Sequence, residues 1–205
     1  MSETENGPSN GNAEIVRQTV HLGSGSLALL LHWLSRWEGA GLAGLAVVFN
    51  FFILPRIGWQ KKLARPSEAW LSGIKVYPIS VLILVLCFPL PVAAGAWVVM
   101  AVGDSVSTWL GKRWGRRKLP WNGKKSYLGT FSFVLVAIPA AFVTMLWVYS
   151  GNPSGLDLTN FDLVSLAAVG TVVAALLESF PLPIDDNWTV PFSAALAMSL
   201  LLALL

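Results

Sequence analysis

The sequence predicts an all-α fold, a polytopic bundle of about seven transmembrane helices with a cytoplasmic N-terminus. Hydrophobic residues make up 55% of the 205 and charged residues 12%, with a mean hydropathy of +0.63, a balance that suits lipid rather than water. Several uncharged windows reach about 17 to 22 residues, enough to cross a hydrocarbon core at about 1.5 Å per residue. These windows are continuous in Leu, Val and Ala and lack period-two alternation, which sets a closed β-barrel aside.

In chain order, residues 1–14 (MSETENGPSNGNAE) are polar and rich in Gly and Asn. They lack the basic segment and cleavage motif of a secretory signal, so they predict a short disordered tail. Residues 15–205 then form a single transmembrane domain. Its spans fall near 18–34, 39–54, 71–88, 92–110, 127–149, 163–180 and 189–205. The first is interrupted by His21, Ser24, Ser26 and His32; it either lies partly in the interface, leaving six spans, or faces the bundle interior. The lone cysteine, Cys87, sits in an apolar run and excludes an intrachain disulfide or a cysteine metal cluster. The ten Trp fall mostly near span ends, as an interfacial belt requires.

Orientation follows from Lys and Arg. Arg56, Lys61, Lys62 and Arg65 follow the second span, and Lys112, Arg113, Arg116, Arg117, Lys118, Lys124 and Lys125 follow the fourth. Both loops are therefore expected in the cytoplasm. Residues 89–91 and 150–162 carry no Lys or Arg and belong outside. The net charge of +3 and pI near 9.2 thus reflect membrane orientation rather than nucleic-acid binding. With this topology His21, Arg17, Asn50, Asp104, Glu178 and the Asp185-Asp186-Asn187 run all fall on the cytoplasmic side. Ionisable groups at membrane depth are costly, so their convergence at one face marks a candidate site.

Two stretches carry the chemistry. From Ala101 to Phe133, a helix gives way to a basic loop at 111–126, with Gly103, Gly111, Gly115, Gly123 and Gly129 allowing close backbone approach and seven cations able to neutralise a nucleoside triphosphate. Asp104, inside the span, has no orienting role and could hold Mg²⁺. The Gly-Lys-Lys-Ser run at 123–126 does not have Walker A spacing. From Leu177 to Pro191, Glu178 ends one helix, Pro181 and Pro183 break it, and Asp185, Asp186 and Asn187 precede the next. Asp186 or Asn187 could cap that helix, but capping does not explain all these groups, which could ligate metal or accept a proton. His21 is either an interfacial histidine or a catalytic one, and Arg17, one turn before it, could bind phosphate with it. Asn50 is either a helix-to-helix hydrogen-bonding group or part of the site.

GDSVSTWLGKRWGRRKLPWNGKKSYLG resembles the hallmark of the dolichol, phytol and polyprenol kinases: Gly-Asp, then Gly-x3-Gly, a basic-Leu-Pro-Trp run and Lys-Ser before a glycine. ESFPLPIDDNWTVP is similar to that family's second motif, and VRQTVHLGSG to its amino-terminal one, with Gln18 where Lys is usual. The resemblance implies phosphoryl transfer from CTP, with a divalent cation such as Mg²⁺, to the hydroxyl of an isoprenoid alcohol in the bilayer, giving a lipid monophosphate and CDP. It implies a nucleotide loop of Gly103, Gly111, Lys112, Gly115, Lys118, Lys125, Ser126 and Gly129, metal ligands among Asp104, Asp185 and Asp186, and a base in Glu178 or His21. Arg17, Asn50 and Asn187 complete the site. The alternatives are a cytidylyltransferase acting on a lipid phosphate, although its long carboxy-terminal Gly/Asp-rich signature is missing, and a transporter, although the polar groups occupy one face rather than crossing the membrane.

Overall fold

The computed structural model describes the backbone of residues 8–57 and 73–205, with side chains described from Ile15 onward in these ranges. Lys61, Lys62 and Arg65, expected in a cytoplasmic loop, lie outside the described residues, as does the start of the expected tail. Helix α1 runs Pro8–Gly25 and continues as a 3₁₀ segment, Ser26–His32. Its first turns therefore occupy residues expected to be disordered. Helix α2, Arg36–Val48, passes into a π segment, Phe49–Ile53, and α3 spans Gly73–Cys87. Helix α4, Leu90–Val98, leads through a second π segment, Val99–Gly103, into α5, Asp104–Trp114. A hairpin of β1 (Lys118–Leu119) and β2 (Asn122–Ser126) precedes α6 (Tyr127–Gly151), α7 (Asn160–Ser179) and α8 (Asp186–Leu202).

The described residues thus form seven helical rods, matching the number of expected spans, in an all-α membrane bundle. Three of them are long and apolar enough to cross a membrane: Leu90–Trp114, Tyr127–Gly151 and Asn160–Ser179. The others are shorter apolar helices or are broken by 3₁₀ and π turns, where polar side chains interrupt the hydrophobic run.

The centre of the bundle is α4. Every residue from Leu90 to Ala101 is buried, the pattern of a helix enclosed on all sides. Helices α3, α6 and α8 pack around it. Small residues make this approach close, since a Cβ on Gly95 would lie 2.6 Å from Met145 Sδ. Small residues at helix interfaces are how bundles in lipid gain dispersion contacts, because burial from lipid supplies little hydrophobic drive. The outward faces carry Leu135, Val143, Leu176, Leu196 and Leu200, all exposed, as a lipid-facing surface requires.

Helix ends are capped by their own sequence. Ser35 with Glu38 and Thr159 with Asp162 form capping boxes that start α2 and α7. The Ser126 hydroxyl accepts from Gly129 N–H to start α6. Helix α8 is capped by Asp185, not by Asp186 or Asn187: its Oδ1 accepts from the Asn187 backbone N–H at 2.8 Å. The sequence reading of the 111–126 stretch as a loop is corrected by the hairpin, whose register pairs Lys118 with Ser126 and Leu119 with Asn122. The hairpin docks on the end of α7. Asn122 Nδ2 donates to the Ser179 carbonyl at 3.0 Å, and Trp121 Nε1 to the Ser179 hydroxyl at 3.2 Å. A carbonyl left orphaned at the helix C-terminus is thereby satisfied.

Gly103 sits against the fully buried Phe133 ring, whose atoms would be 2.5 to 2.7 Å from an added Cβ. Gly103→Ala is expected to lower stability by about 1–3 kcal/mol through overpacking. Thermal unfolding in detergent measures it, and an unchanged midpoint would show that α6 yields freely at this crossing.

Candidate active site

Asp104 opens α5 immediately after the π segment. A π turn offsets the register of the helix beyond it, and such turns concentrate at functional sites. Glu178 comes from the last turn of α7, and Asp186 from the first turn of α8. Oxygens of the three carboxylates lie within 4.8 Å of one another. Three like charges this close repel strongly, and Glu178 is 2% exposed, so they require a counter-charge.

Lys125 supplies it from β2. Its ammonium donates to Glu178 and, at 3.3 Å, to Asp186. Burial alone would lower the Lys125 pKa, but Glu178, Asp186 and Asp104 outweigh it and hold the ammonium above the usual lysine range. The position of Lys125 depends on the hairpin, which is why the short sheet matters to the site.

His21 approaches from α1. Its Nε2 lies 3.3 Å from the Met100 carbonyl oxygen and 4.0 Å from Asp104 Oδ2. A carbonyl only accepts, so Nε2 carries a hydrogen and Nδ1 is the basic nitrogen. The ring meets Tyr77 edge-on at 4.6 Å, and the Tyr77 hydroxyl accepts from Trp97 Nε1 at 2.7 Å.

Two cavities meet here. A polar cleft of about 550 Å³ is lined by Asp104, Glu178, Asp185, Asp186 and Asn187 together with Gly111, Lys112, Lys124, Lys125, Ser126 and Gly129. An apolar groove of about 720 Å³ runs between α1 with its 3₁₀ continuation, α2 and α3, and includes His21 and Asn50. Arg17, Gly73, Asp104 and Asn187 line both. Asp104 therefore stands at the junction.

Most of the sequence-predicted residues converge in these two spaces. Gly103, Gly115 and Lys118 do not line either one: Gly103 packs on Phe133, Gly115 packs against Ser126, and Lys118 is exposed on β1. Ser126 is buried as the cap of α6, between Gly111 and Gly115. Asp185 spends Oδ1 on Asn187, accepting from both its backbone N–H and its Nδ2, each at 2.8 Å. Asn50 does both things foreseen for it: Nδ2 donates to the Ile74 carbonyl at 2.8 Å while the residue lines the groove. Lys124, Ser107, Thr108 and Thr130 line the polar cleft without having been singled out as site residues. For Thr108 the signal was available, since it lies one turn beyond Asp104 on the same helix face.

A helical membrane bundle with a carboxylate and lysine cluster joining a polar cleft to an apolar groove defines a membrane protein with a two-part site. No family model matches the chain, and no solved structure matches it. Among known proteins it is 34% identical over 195 residues to a phytol kinase of Synechocystis, covering 90% of this chain and 78% of that one. It is 27% identical to a chloroplastic farnesol kinase of Arabidopsis thaliana, covering 92% of this chain and 66% of that one. It is also 34% identical over 112 residues to a probable phytol kinase of Oryza sativa, of whose length it spans 36%. The chain belongs to the phytol and farnesol kinase family of isoprenoid alcohol kinases.

Lys125→Met leaves Glu178 buried without its cation and is expected to cost about 3 kcal/mol of stability. Adding Glu178→Gln is expected to restore most of it. Unfolding midpoints of the two variants in detergent test this; a single variant as stable as the parent would mean that the ion pair contributes no net stability.

Proposed function

We propose that this protein is a multi-pass lipid kinase that transfers the γ-phosphoryl group of CTP to the hydroxyl of a membrane isoprenoid alcohol at the cytoplasmic face. The observation that carries this reading is the meeting of a polar cleft and an apolar groove at Asp104. The cationic side of the cleft suits phosphates, and the groove suits a hydrocarbon tail entering from the bilayer. CTP as donor follows from the motif resemblance, and the cytoplasmic placement from the Lys and Arg around the cleft.

The donor set fits a hard divalent cation. Mg²⁺ takes oxygen ligands and keeps several waters, so one or two carboxylates plus phosphate oxygens suffice. Asp104 and Asp186 would hold it, with Glu178 retained as the partner of Lys125. Bound there, Mg²⁺ would neutralise charge developing on the transferred phosphoryl group.

The two base candidates separate by position. Glu178 faces the polar cleft and is tied to Lys125, whereas His21 lines the apolar groove. In this reading the alcohol proton passes to His21 Nδ1 as the alcohol oxygen bonds to the γ-phosphorus. The bond from that phosphorus to the β–γ bridging oxygen breaks, and CDP leaves. Asp104, 4.0 Å from Nε2, stabilises the imidazolium. Lys112, Lys124 and Lys125 hold the phosphates, so the reaction rests on positioning and charge neutralisation.

Asp104→Asn and Asp186→Asn are each expected to lower turnover at least about a hundredfold while the proteins still insert and fold. The assay supplies Mg²⁺, each nucleoside triphosphate in turn and a panel of isoprenoid alcohols, and identifies both products. A prenyl monophosphate with CDP supports the kinase. Pyrophosphate release would identify a cytidylyltransferase, and near-normal activity of both variants would remove the carboxylates from the chemistry.

A further inference from the structure

The groove narrows away from Asp104 along α2. Along α2 and its π continuation the wall includes Asn50, Ala46, Ala43 and Gly39, which succeed one another at nearly whole helical turns. At about 1.5 Å per residue, Ala46, Ala43 and Gly39 lie about 6, 10 and 16 Å from Asn50 toward the end remote from Asp104. At Gly39 the groove is tightly walled. An added Cβ there would lie 2.8 Å from Leu31 Cδ2, on the 3₁₀ segment, and 3.3 Å from Val85 Cγ1 on α3. The three elements therefore close upon one another at this level. The volume of about 720 Å³ falls within the usual range of about 300–1,000 Å³ for small-molecule sites.

We propose that Ala43 and Gly39 act as a length gauge, so that the groove takes isoprenoid alcohols of sesquiterpenoid to diterpenoid length whole and disfavours the much longer tails of the dolichol class. This rests on the kinase reading for the identity of the ligand, and it adds the residues that select among tails. The physical basis is graded burial. Each methylene that finds a place in the groove gains close packing contacts with its walls. A tail segment excluded by a bulkier wall loses those contacts, whereas a shorter tail ending before the obstruction keeps them.

The order of the positions makes a ruler that can be read. Bulk at Ala43 obstructs the distal part only, and bulk at Ala46, one turn nearer the hydroxyl end, obstructs both classes of tail. The Ala43→Phe and Ala46→Phe variants are compared with the parent by equilibrium binding of tritiated farnesol and tritiated geranylgeraniol to the full chain in detergent, without nucleotide, and in parallel by kcat/KM for both alcohols. Ala43→Phe is expected to weaken geranylgeraniol on the order of tenfold relative to farnesol, and Ala46→Phe to weaken both alike. Leu42→Trp, at a half-exposed lining position, replaces Ala43→Phe should the latter fail to fold. A shifted binding ratio without turnover would keep the gauge and overturn the kinase reading. An unchanged binding ratio in folded variants would overturn the gauge whatever the turnover, and so would parent protein that binds dolichol as tightly as geranylgeraniol.

Discussion

The rest of this site depends on one buried charge. Glu178 is a carboxylate at the end of an apolar helix with almost no contact with solvent, a position that costs several kcal/mol unless a cation meets it. Lys125 meets it, and the elements around Lys125 are arranged to bring it there. Asn122 and Trp121 fasten the hairpin to Ser179, next in sequence to Glu178. Ser126 then ends the strand and starts α6 in a single residue. The space for that turn comes from Gly111, Gly115 and Gly129, which crowd the Ser126 hydroxyl so closely that a Cβ at any of them would press on it.

Placing the pair this way also divides the interior by polarity. On one side of Asp104, hydroxyls, lysines and carboxylates line the cleft; on the other, leucines, alanines and aromatic rings line the groove. A nucleotide and a prenyl chain have no common solvent, so an enzyme joining them must hold each in its own medium and bring only the reacting atoms into contact. The residues lining both spaces are few and polar: Arg17, Asp104 and Asn187, with Gly73 leaving room beside Asn187. The π segment before Asp104 sets the turn on which this shared carboxylate projects.

Much of this was legible in the sequence because lipid makes charge conspicuous. Asp104 and Glu178 stand out as carboxylates inside apolar runs, and alternating Lys and Arg content puts them at one end before any coordinates are considered. The number of helical rods followed from the same apolar windows. What stayed hidden depends on side-chain direction across elements that are distant in sequence. Nothing local distinguishes Asp185, which caps α8, from Asp186, which faces Lys125, because the two are adjacent and chemically identical. The hairpin was equally hidden, since what fastens it is the contact of Trp121 and Asn122 with Ser179, far along the chain. The glycines attracted attention as phosphate-binding candidates, but Gly103 and Gly115 are glycines because Phe133 and Ser126 occupy the space a side chain would need.

The polar cleft is lined by charges of both signs. Its lining carries four carboxylates, Asp104, Glu178, Asp185 and Asp186, and four cations, Arg17, Lys112, Lys124 and Lys125. The total is neutral, so the cleft as a whole attracts neither anions nor cations strongly, but the signs are not mixed evenly. Three of the carboxylates converge within 4.8 Å, and Lys125 donates to two of them. Lys112 and Lys124 remain toward the α5 and hairpin side. On the function proposed above, a divalent cation carried on a polyphosphate would meet the carboxylates while its phosphates meet the lysines, which would make the carboxylate cluster and the basic hairpin one binding site.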